Sequence, residues 1–284
     1  MRYPKDVDVW EYAPGRKLAE VVVTLKNQKG ALASCSQLMS DMEVNMLSGF
    51  VSAPISSPIA RWSFFADLTD AKSDLGDLKK ALLANPLVES VDTHASEDGF
   101  MVDKKHFPVH TTGRRVIVLR VEAMNEMLFR LWSVFGSGAA AIIDQMAEAM
   151  GRQSAMEIVK DFGKDFARRH LEDLLGSYGA LGYAEVEIEP SKTADFPILV
   201  HARCLFECQA NTTRNMRRKS IFFKAHLRGF MAALFDQEFE VDEVQCKTFG
   251  DEVCSFHIQT SEKAIAELPW RSPRKSEQGS TSSF

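Results

Sequence analysis

The chain has 284 residues, of which 45% are hydrophobic and 26% are charged, and its formal net charge is −5. This composition is ordinary for a soluble globular protein, and the length predicts two domains with a core each. The negative charge argues against a general nucleic-acid binder, because contact with a phosphate backbone needs a positive surface.

The sequence also bears on the cellular compartment. The first residues contain no apolar core of a signal peptide, and no apolar run is long enough to span a bilayer. Five cysteines without a dense framework are typical of free thiols in a reducing compartment. We therefore expect a cytoplasmic protein with neither a membrane nor a nucleic acid as its partner.

The amino-terminal third has the pattern of a small sheet covered by two helices. Residues 1–16 are polar and predict a loose arm, and the first domain is expected over 17–95. Asp70 is the predicted N-cap of the second helix. The order predicted is βαββαβ, a ferredoxin-like unit. Its predicted strands are 19–26, 44–52, 59–68 and 87–93, and its first helix is 31–42.

The turn between the first strand and the first helix carries a family resemblance. Residues 25–33 (LKNQKGALA), followed by 44–46 (VNM), resemble an ACT domain, a regulatory module that often binds amino acids. The resemblance implies an amino-acid site at Asn27, Gly30, Ala31 and Leu32, although the proline frequent in the family before the glycine is a lysine here. Gly30 permits close backbone approach, and free amides at a helix start favour a carboxylate. The alternative is a domain that binds nothing and pairs with a second copy as a homodimer.

A polar, irregular stretch over 96–113 predicts the linker between the domains. His106 and His110 are four residues apart, a spacing that on a helix could hold a metal ion. Phe107 and Pro108 disfavour a helix there, so the linker interpretation is preferred.

The second domain is expected over 114–260, and the tail over 261–284 is predicted to be disordered. Gly151 is expected to break the chain between two helices. The predicted strands before the centre of the domain are 115–121, 184–189 and 196–207, and the predicted helices are 123–135, 139–150 and 158–176. A cluster of Arg214, Arg217, Arg218 and Lys219 could bind an anion, but a solvated loop tip is preferred.

The centre of the second domain is the stretch 220–259. A helix that is apolar on all sides precedes strand 239–244, a turn and strand 253–258, so the helix should be buried. The segments 226–230 (HLRGF), 243–246 (EVQC) and 250–256 (GDEVCSF) resemble the 4-vinyl reductase, or hydrocarbon-binding, domain family.

That resemblance implies a mixed α/β fold with an enclosed apolar cavity for a small hydrophobic molecule. His226 is either a hydrogen-bonding group of that cavity or a satisfied core histidine. The residues expected to wall the cavity are Phe222, Phe223, His226, Phe230 and Met231.

The same resemblance implies three ligands of a structural zinc ion, namely Glu243, Cys246 and Cys254. Relatives have a further cysteine just before the buried helix, where this chain has Ser220, a poor zinc ligand. Cys204 or Cys208, which a strand would place on one face, could complete a shifted site. The alternative is that the cysteines are small buried hydrophobes.

Together these observations predict an α/β (α+β) protein with a ferredoxin-like ACT domain and a mixed α/β 4-vinyl reductase-like domain. The predicted function is a small-molecule sensor that binds a hydrophobic ligand, and in the ACT-like domain an amino acid, and passes a signal to a partner protein. No catalytic signature is present, so we lean away from an enzyme. The alternatives are an enzyme or accessory protein of tetrapyrrole or aromatic metabolism, and a dimerisation scaffold without a ligand.

Overall fold

The computed structural model describes residues 3–96, 98–189, 196–214 and 216–261. The chain divides into two compact units, Met1–Ile117 and Val118–Phe284. Each unit combines helices with an antiparallel sheet, which confirms the predicted mixed α/β class. Residues 262–284, where a disordered tail was predicted, lie outside the described residues.

The first unit is built on one four-stranded sheet, and it has the predicted βαββαβ order. Its elements are β1 (Trp10–Tyr12), β2 (Leu18–Lys26), α1 (Ala31–Asp41), β3 (Asn45–Ser52), β4 (Ile59–Asp67), α2 (Leu75–Leu83), β5 (Val88–Ala95), β6 (Phe100–Val102), β7 (His110–Thr111) and β8 (Arg114–Arg115). The sheet order is β3–β4–β2–β5, with every neighbouring pair antiparallel. Because side chains alternate along β2, Val21 and Val23 join the core with the helices while Glu20 faces the other side.

The helix-free face of this sheet corrects two predictions. Strand β1 is not a loose arm, because it pairs antiparallel with β6, which lies inside the predicted linker. Met101 of β6 is fully buried against Leu18 and Phe65. Those two apolar side chains point away from the helices, so they need a cover that only the flanking segments supply.

One local prediction in the first unit is also wrong. Helix α2 is capped by Asp74, whose carboxylate accepts a hydrogen bond of 2.9 Å from the backbone N–H of Asp77, rather than by Asp70. His106 and His110 do not share a helix, as the sequence analysis preferred, since the first lies in the loop after β6 and the second in β7.

The second unit places a bundle of helices beside another four-stranded sheet. Its elements are α3 (Val121–Phe135), α4 (Gly138–Phe162), α5 (Lys164–Arg169), α6 (Leu171–Gly176), β9 (Glu185–Glu189), β10 (Ile198–Arg203), α7 (Phe206–Thr213), α8 (Phe222–Phe235), β11 (Phe239–Gln245), a 3₁₀ turn (Lys247–Phe249) and β12 (Cys254–Thr260). The sheet order is β11–β12–β10–β9, again antiparallel throughout.

Three predicted segments of the second unit differ from the structure. The expected strand over 115–121 is absent beyond Arg115, because the apolar residues 117–119 are exposed and have no partner strand among the described residues. The expected helix over 158–176 is divided among α4, α5 and α6, with a break at Gly163, where φ is 84°. The expected strand over 196–207 ends at Arg203, and Cys204 has a φ of 54°.

The most consequential correction concerns Gly151, which lies inside α4 and not at a break. A Cβ atom at Gly151 would fall on the carbonyl oxygen of His226 in α8, and one at Gly229 would fall on that of Glu148 in α4. The two helices therefore approach each other closely enough for backbone to contact backbone. Small side chains continue the contact along α4, since Ala147 and Ala155 are fully buried.

We expect Gly151→Ala to lower the free energy of unfolding by about 1–3 kcal/mol, because the added methyl group forces the two helices apart. Gly176→Ala is the control, since a Cβ atom there meets nothing within 4 Å and alanine favours a helix. Urea denaturation measures both variants. A Gly151→Ala protein as stable as the wild type would contradict the close-packing account.

Candidate functional site

The amino end of α8 is the point where the candidate site is organised. The buried carboxylate of Glu207, in α7, accepts hydrogen bonds from the backbone N–H groups of Ile221, Phe222 and Phe223 at 2.8, 3.2 and 3.2 Å. It satisfies donors that a helix start leaves free, and its negative charge suits the positive end of the helix dipole. Burial raises the pKa of Glu207 to about 7, although the three hydrogen bonds oppose the shift.

Next to Glu207, three thiols and one carboxylate converge. The ligand atoms of Cys208, Glu243, Cys246 and Cys254 all lie within 4.8 Å of one another, and all four residues are buried. The sulfur of Cys208 is 3.3 Å from that of Cys254 and 3.7 Å from that of Cys246. Sulfur ligands of one tetrahedral zinc ion are about 3.8 Å apart, given a Zn–S distance of about 2.3 Å. This buried cluster could hold a metal ion.

The structure thus brings together the three predicted metal ligands and adds Cys208 as a fourth. The two candidates for that position differ, because Cys208 is in helix α7 and buried whereas Cys204 is in the preceding loop and exposed. Knowing that the strand ends before Cys204 would have distinguished the two cysteines, but the sequence pattern does not show where that strand ends.

Ser220 holds the carboxylate of the cluster in place. Its backbone N–H donates to Glu243 Oε2 at 2.6 Å, and its hydroxyl donates to Glu243 Oε1 at 3.0 Å. The same hydroxyl is 3.0 Å from the sulfur of Cys208. Ser220 therefore orients one ligand group and contacts another.

The electrostatics of the cluster suit a cation. Burial raises the pKa of the Cys246 thiol to about 11, and the hydrogen bond between Cys208 and Cys254, together with burial, raises the pKa of the Cys208 thiol. The same hydrogen bond lowers the pKa of the Cys254 thiol. Without a cation the thiols of Cys208 and Cys246 stay protonated, because a buried thiolate beside Glu243 lacks compensating charge. Binding of a metal ion would release the thiol protons.

The predicted ligand-binding residues of α8 form one buried aromatic group. Phe222, Phe223, His226, Phe230 and Met231 all have relative exposures of at most 3%. The rings of the four ring-bearing members contact three further aromatic residues that the sequence analysis did not select. Aromatic residues in the turn before β9 and in α7 were the sequence feature that could have indicated them. These residues are Tyr178, Tyr183 and Phe206.

His226 lies at the centre of this aromatic group. Its Nδ1 is 3.2 Å from the hydroxyl of Tyr178, and no other described residue hydrogen-bonds to the ring. Burial lowers the pKa of His226 to about 4, so the imidazole is neutral at pH 7. A neutral ring leaves Nε2 as a polar group in apolar surroundings.

A small pocket lies on the other side of the amino end of α8. Its volume is about 20 Å³, and two buried polar atoms on its lining residues, Asn125 Oδ1 and Arg218 Nη1, have no hydrogen-bond partner among the described residues. The guanidinium of Arg218 lies over the ring of Trp132 at 4.0 Å. Arg218 belongs to the basic cluster that the sequence analysis preferred as a solvated loop. The apolar lining residues are Leu128, Phe129, Trp132, Ala210, Met216 and Ile221.

In the first unit, the predicted amino-acid site lies at the start of α1. Gly30 has a φ of 87°, and Ala31, which is buried, begins the helix. The side-chain N–H groups of Asn27 donate to the carbonyl oxygens of Pro54 and Ser57 at 3.0 and 2.9 Å. Asn27 therefore fastens the loop after β3, while Leu32 is exposed.

The chain was compared with known proteins and structures. No protein-family model matches it. Over 127 residues it is 24% identical to the uncharacterized protein MJ1460 of Methanocaldococcus jannaschii, a match that covers 44% of this chain and 76% of the relative.

Three solved structures are similar to parts of the chain. The phenol-responsive sensory domain of the transcription activator PoxR, with phenol, gives a TM-score of 0.47 at 16% identity, covering 56% of this chain and 84% of that one. A vinyl-4-reductase family protein from Methanocaldococcus jannaschii gives 0.27 at 15% identity, covering 53% and 100%. The ACT domain of the GTP pyrophosphokinase of Chlorobium tepidum gives 0.24 at 15% identity, covering 30% and 99%. All three TM-scores are below 0.5, so the fold rests on the geometry of the chain itself.

Among the residues that the structure describes, no helix has both the length and the apolar character needed to cross a membrane.

The burial of His226 predicts a pH dependence of stability. Its folded pKa of about 4 lies below the unfolded value of 6.5, so the unfolded chain binds a proton first as the pH falls. Stability is therefore lost below pH 6.5, by about 2–3 kcal/mol at pH 4.5.

We expect His226→Gln to remove that part of the pH dependence in urea denaturation at pH 7 and pH 4.5. His170→Gln is the control, because the side chain of His170 is 44% exposed. Equal pH dependence in wild type and His226→Gln would show that the ring does not remain neutral in the folded protein.

Proposed function

We propose that the protein is a small-molecule-sensing regulatory protein whose second unit is a 4-vinyl reductase-like domain that binds an apolar ligand with one polar group. The observation that supports this most directly is the pocket beside α8, where Asn125 Oδ1 and Arg218 Nη1 are buried without partners on residues of a wall that is half apolar and half polar. A buried polar atom without a partner costs about 1–3 kcal/mol. A ligand that supplies the missing hydrogen bonds regains that free energy.

The two atoms define the polar group of the ligand. Asn125 Oδ1 accepts a hydrogen bond and Arg218 Nη1 donates one, so a hydroxyl group serves both. Trp132 and Phe129 supply aromatic surface for a flat apolar body, and the guanidinium groups of Arg218 and Arg214 cover one face of each ring. The void of about 20 Å³ holds one water molecule, so a larger ligand displaces that water and moves side chains of α3. None of the described α3 side chains is fully buried, and Met124, Leu128, Leu131 and Trp132 pack partly buried against the core.

The aromatic group of α8 is the proposed inner wall of the same site. Glu207 and Ile221 line the pocket, and their neighbours in sequence, Phe206 and Phe222, belong to the aromatic group. The ring centroids of Phe206 and Phe222 are 5.6 Å apart. A ligand longer than the pocket would pass these rings towards His226, whose Nε2 offers a second polar contact.

We also propose that the cluster of Cys208, Glu243, Cys246 and Cys254 holds a structural zinc ion. Three thiolates and a carboxylate are a typical zinc donor set, and four protein ligands leave no open position for catalysis. The ion would join α7, β11 and β12. Because Glu207 is next to Cys208 in the sequence, the zinc ion would also hold in place the Glu207 carboxylate that caps α8.

For the first unit, we propose the regulatory role of an ACT-like domain, through an amino acid at Asn27, Gly30, Ala31 and Leu32 or through pairing in a homodimer. The left-handed Gly30 and the start of α1, which no side chain caps, support the former. A bound ligand would act on a partner protein only through different affinities for two states of the chain.

The zinc proposal predicts about one zinc ion per chain in the purified protein. Cys254→Ser and Cys208→Ser should each lose the ion and lower the melting temperature, because a ligand and its share of folding free energy are removed. Cys204→Ser, which changes an exposed thiol, is the matched control and should keep the ion. Metal analysis by mass spectrometry measures the content. A folded wild-type protein without metal would refute the proposal.

The ligand proposal predicts a preference for hydroxylated aromatic molecules. Calorimetry should show phenol binding at least tenfold more tightly than toluene, because only phenol can satisfy Asn125 and Arg218. Asn125→Leu should abolish most of that preference. Met127→Leu, on the exposed side of α3, should leave it unchanged.

Failure of both ligands to bind, in a protein that is folded, would leave the pocket as the site of a bound water and contradict the proposed function. Equal binding of phenol and toluene that Asn125→Leu leaves intact would place the ligand elsewhere.

A further inference from the structure

The helix-free face of the first unit carries a second cluster of metal-ligating side chains. It is formed by Glu20 in the middle of β2 and by Asp103 and His106 in the segment after β6. Ligand atoms of the three residues lie within 4.8 Å of one another. We infer that Glu20, Asp103 and His106 form a binding site for a divalent first-row transition-metal ion.

Glu20 is the residue that points to a missing partner. Its relative exposure is 1%, and its Oε1 atom has no hydrogen-bond partner among the described residues. The other oxygen, Oε2, accepts a hydrogen bond of 3.1 Å from the backbone N–H of Lys104. One carboxylate oxygen is thus held by a hydrogen bond, and the other, which has none, lies 3.5 Å from Nδ1 of His106. Leaving such an atom bare is costly, which favours a ligand at this point.

The distances between the three groups suit a single ion. Nδ1 of His106 is 2.9 Å from Asp103 Oδ2 and 3.5 Å from Glu20 Oε1. Ligand atoms bound to one ion at about 2.0–2.2 Å are separated by about 2.9–3.5 Å for angles between octahedral and tetrahedral. The three atoms therefore need little movement to coordinate an ion placed between them.

The surroundings of each ligand are already arranged for binding. Asp103 Oδ1 accepts the backbone N–H groups of Lys105 and His106, both at 3.0 Å, whereas Oδ2 faces Nδ1 of His106, at 2.9 Å, and has no backbone donor among the described residues. Nε2 of His106 is 2.8 Å from the hydroxyl of Ser63, which is 2% exposed. A proton on Nε2 that is donated to Ser63 leaves the lone pair on Nδ1, the atom that faces both carboxylates.

Charge and access agree with this assignment. Two carboxylates face the same point, and no described lysine or arginine forms an ion pair with either of them. A divalent cation would compensate both charges. The side chains of Asp103 and His106 are 20% and 24% exposed, so an ion can enter from the solvent. Ser63 does not act as a nucleophile here, because its hydroxyl lies buried beneath the imidazole.

The donor set selects the class of ion and the probe. Imidazole and carboxylate ligands suit manganese, cobalt, nickel and zinc, whereas thiolates select softer ions. Mn²⁺ is therefore a probe that distinguishes this site from the cysteine cluster. Loss of the free Mn²⁺ signal in electron paramagnetic resonance measures its binding to the full-length protein.

We expect the wild-type chain to bind one Mn²⁺, or to retain one ion of this class at the site after purification. Glu20→Gln and His106→Ala should each weaken Mn²⁺ binding at least tenfold and lose the retained ion. His94→Ala is the matched control, because His94 pairs with Glu20 across the strands but lies outside the cluster. Cys254→Ser should leave this Mn²⁺ binding unchanged.

The proposal is overturned if the folded wild type neither binds Mn²⁺ nor carries an ion that His106→Ala lacks. That result would mean that protons and hydrogen bonds compensate the two carboxylates without a metal ion. Mn²⁺ binding that Glu20→Gln, His106→Ala and Asp103→Asn all preserve would also overturn it. Circular dichroism checks the fold of each variant. Asp103→Asn, which changes a partly exposed group, replaces Glu20→Gln in the test if the latter does not fold.

Discussion

The second unit depends on how the amino end of its buried helix is capped. Helix α8 is apolar on almost every side, so its first N–H groups cannot reach water and must be satisfied within the protein. Glu207 satisfies three of them from α7. The next residue along the chain is Cys208, so the same short helix that caps α8 also delivers the fourth member of the cysteine cluster. The packing of α7 against α8 therefore produces three features together. These are the cap of α8, the cysteine cluster and the pocket lined by Glu207.

Helix α8 also packs against α4, at a distance short enough for the two backbones to contact each other. Gly151 and Gly229 each face a backbone carbonyl of the partner helix. Arg228, one residue before Gly229, donates to Asp144 and Glu148 on α4. Backbone contact and ion pairs hold α8 on one side, and the sheet holds it on the other, since Phe223 packs on Phe256 of β12. The helix is therefore held on two sides, whereas α3 contributes only partly buried side chains to the same core.

The sequence predicted the features that depend on local periodicity. The βαββαβ order, the buried helix and the hairpin that carries Cys246 and Cys254 follow from alternation and from turns that the chain displays directly. It failed where tertiary contacts decide. Gly151 was expected to end a helix because glycine has a low helix propensity, yet its contact with His226 places it within one. Cys204 and Cys208 were expected on one strand because nothing local reveals the break at Cys204, whose backbone is left-handed.

The contact of residues 100–106 with the first sheet could not be read from the sequence, since these residues follow Glu20 by eighty positions or more. The four buried carboxylates of the described chain show why this contact matters. Asp67 is compensated by Arg16 and Thr69, and Glu207 by three helix amides. Glu243 has the N–H and hydroxyl of Ser220 but faces three thiols, and Glu20 has one amide and a bare oxygen.

The degree of compensation therefore falls from the first two carboxylates to the last two. A buried carboxylate is stable only if hydrogen bonds, a proton or a cation balance it. Glu243 and Glu20 are also the two buried carboxylates that lie within reach of cysteine or histidine ligands. Both oxygens of Glu243 accept hydrogen bonds from Ser220, whereas one oxygen of Glu20 has no partner among the described residues, so a cation would balance charge at Glu243 and would also complete the satisfaction of Glu20.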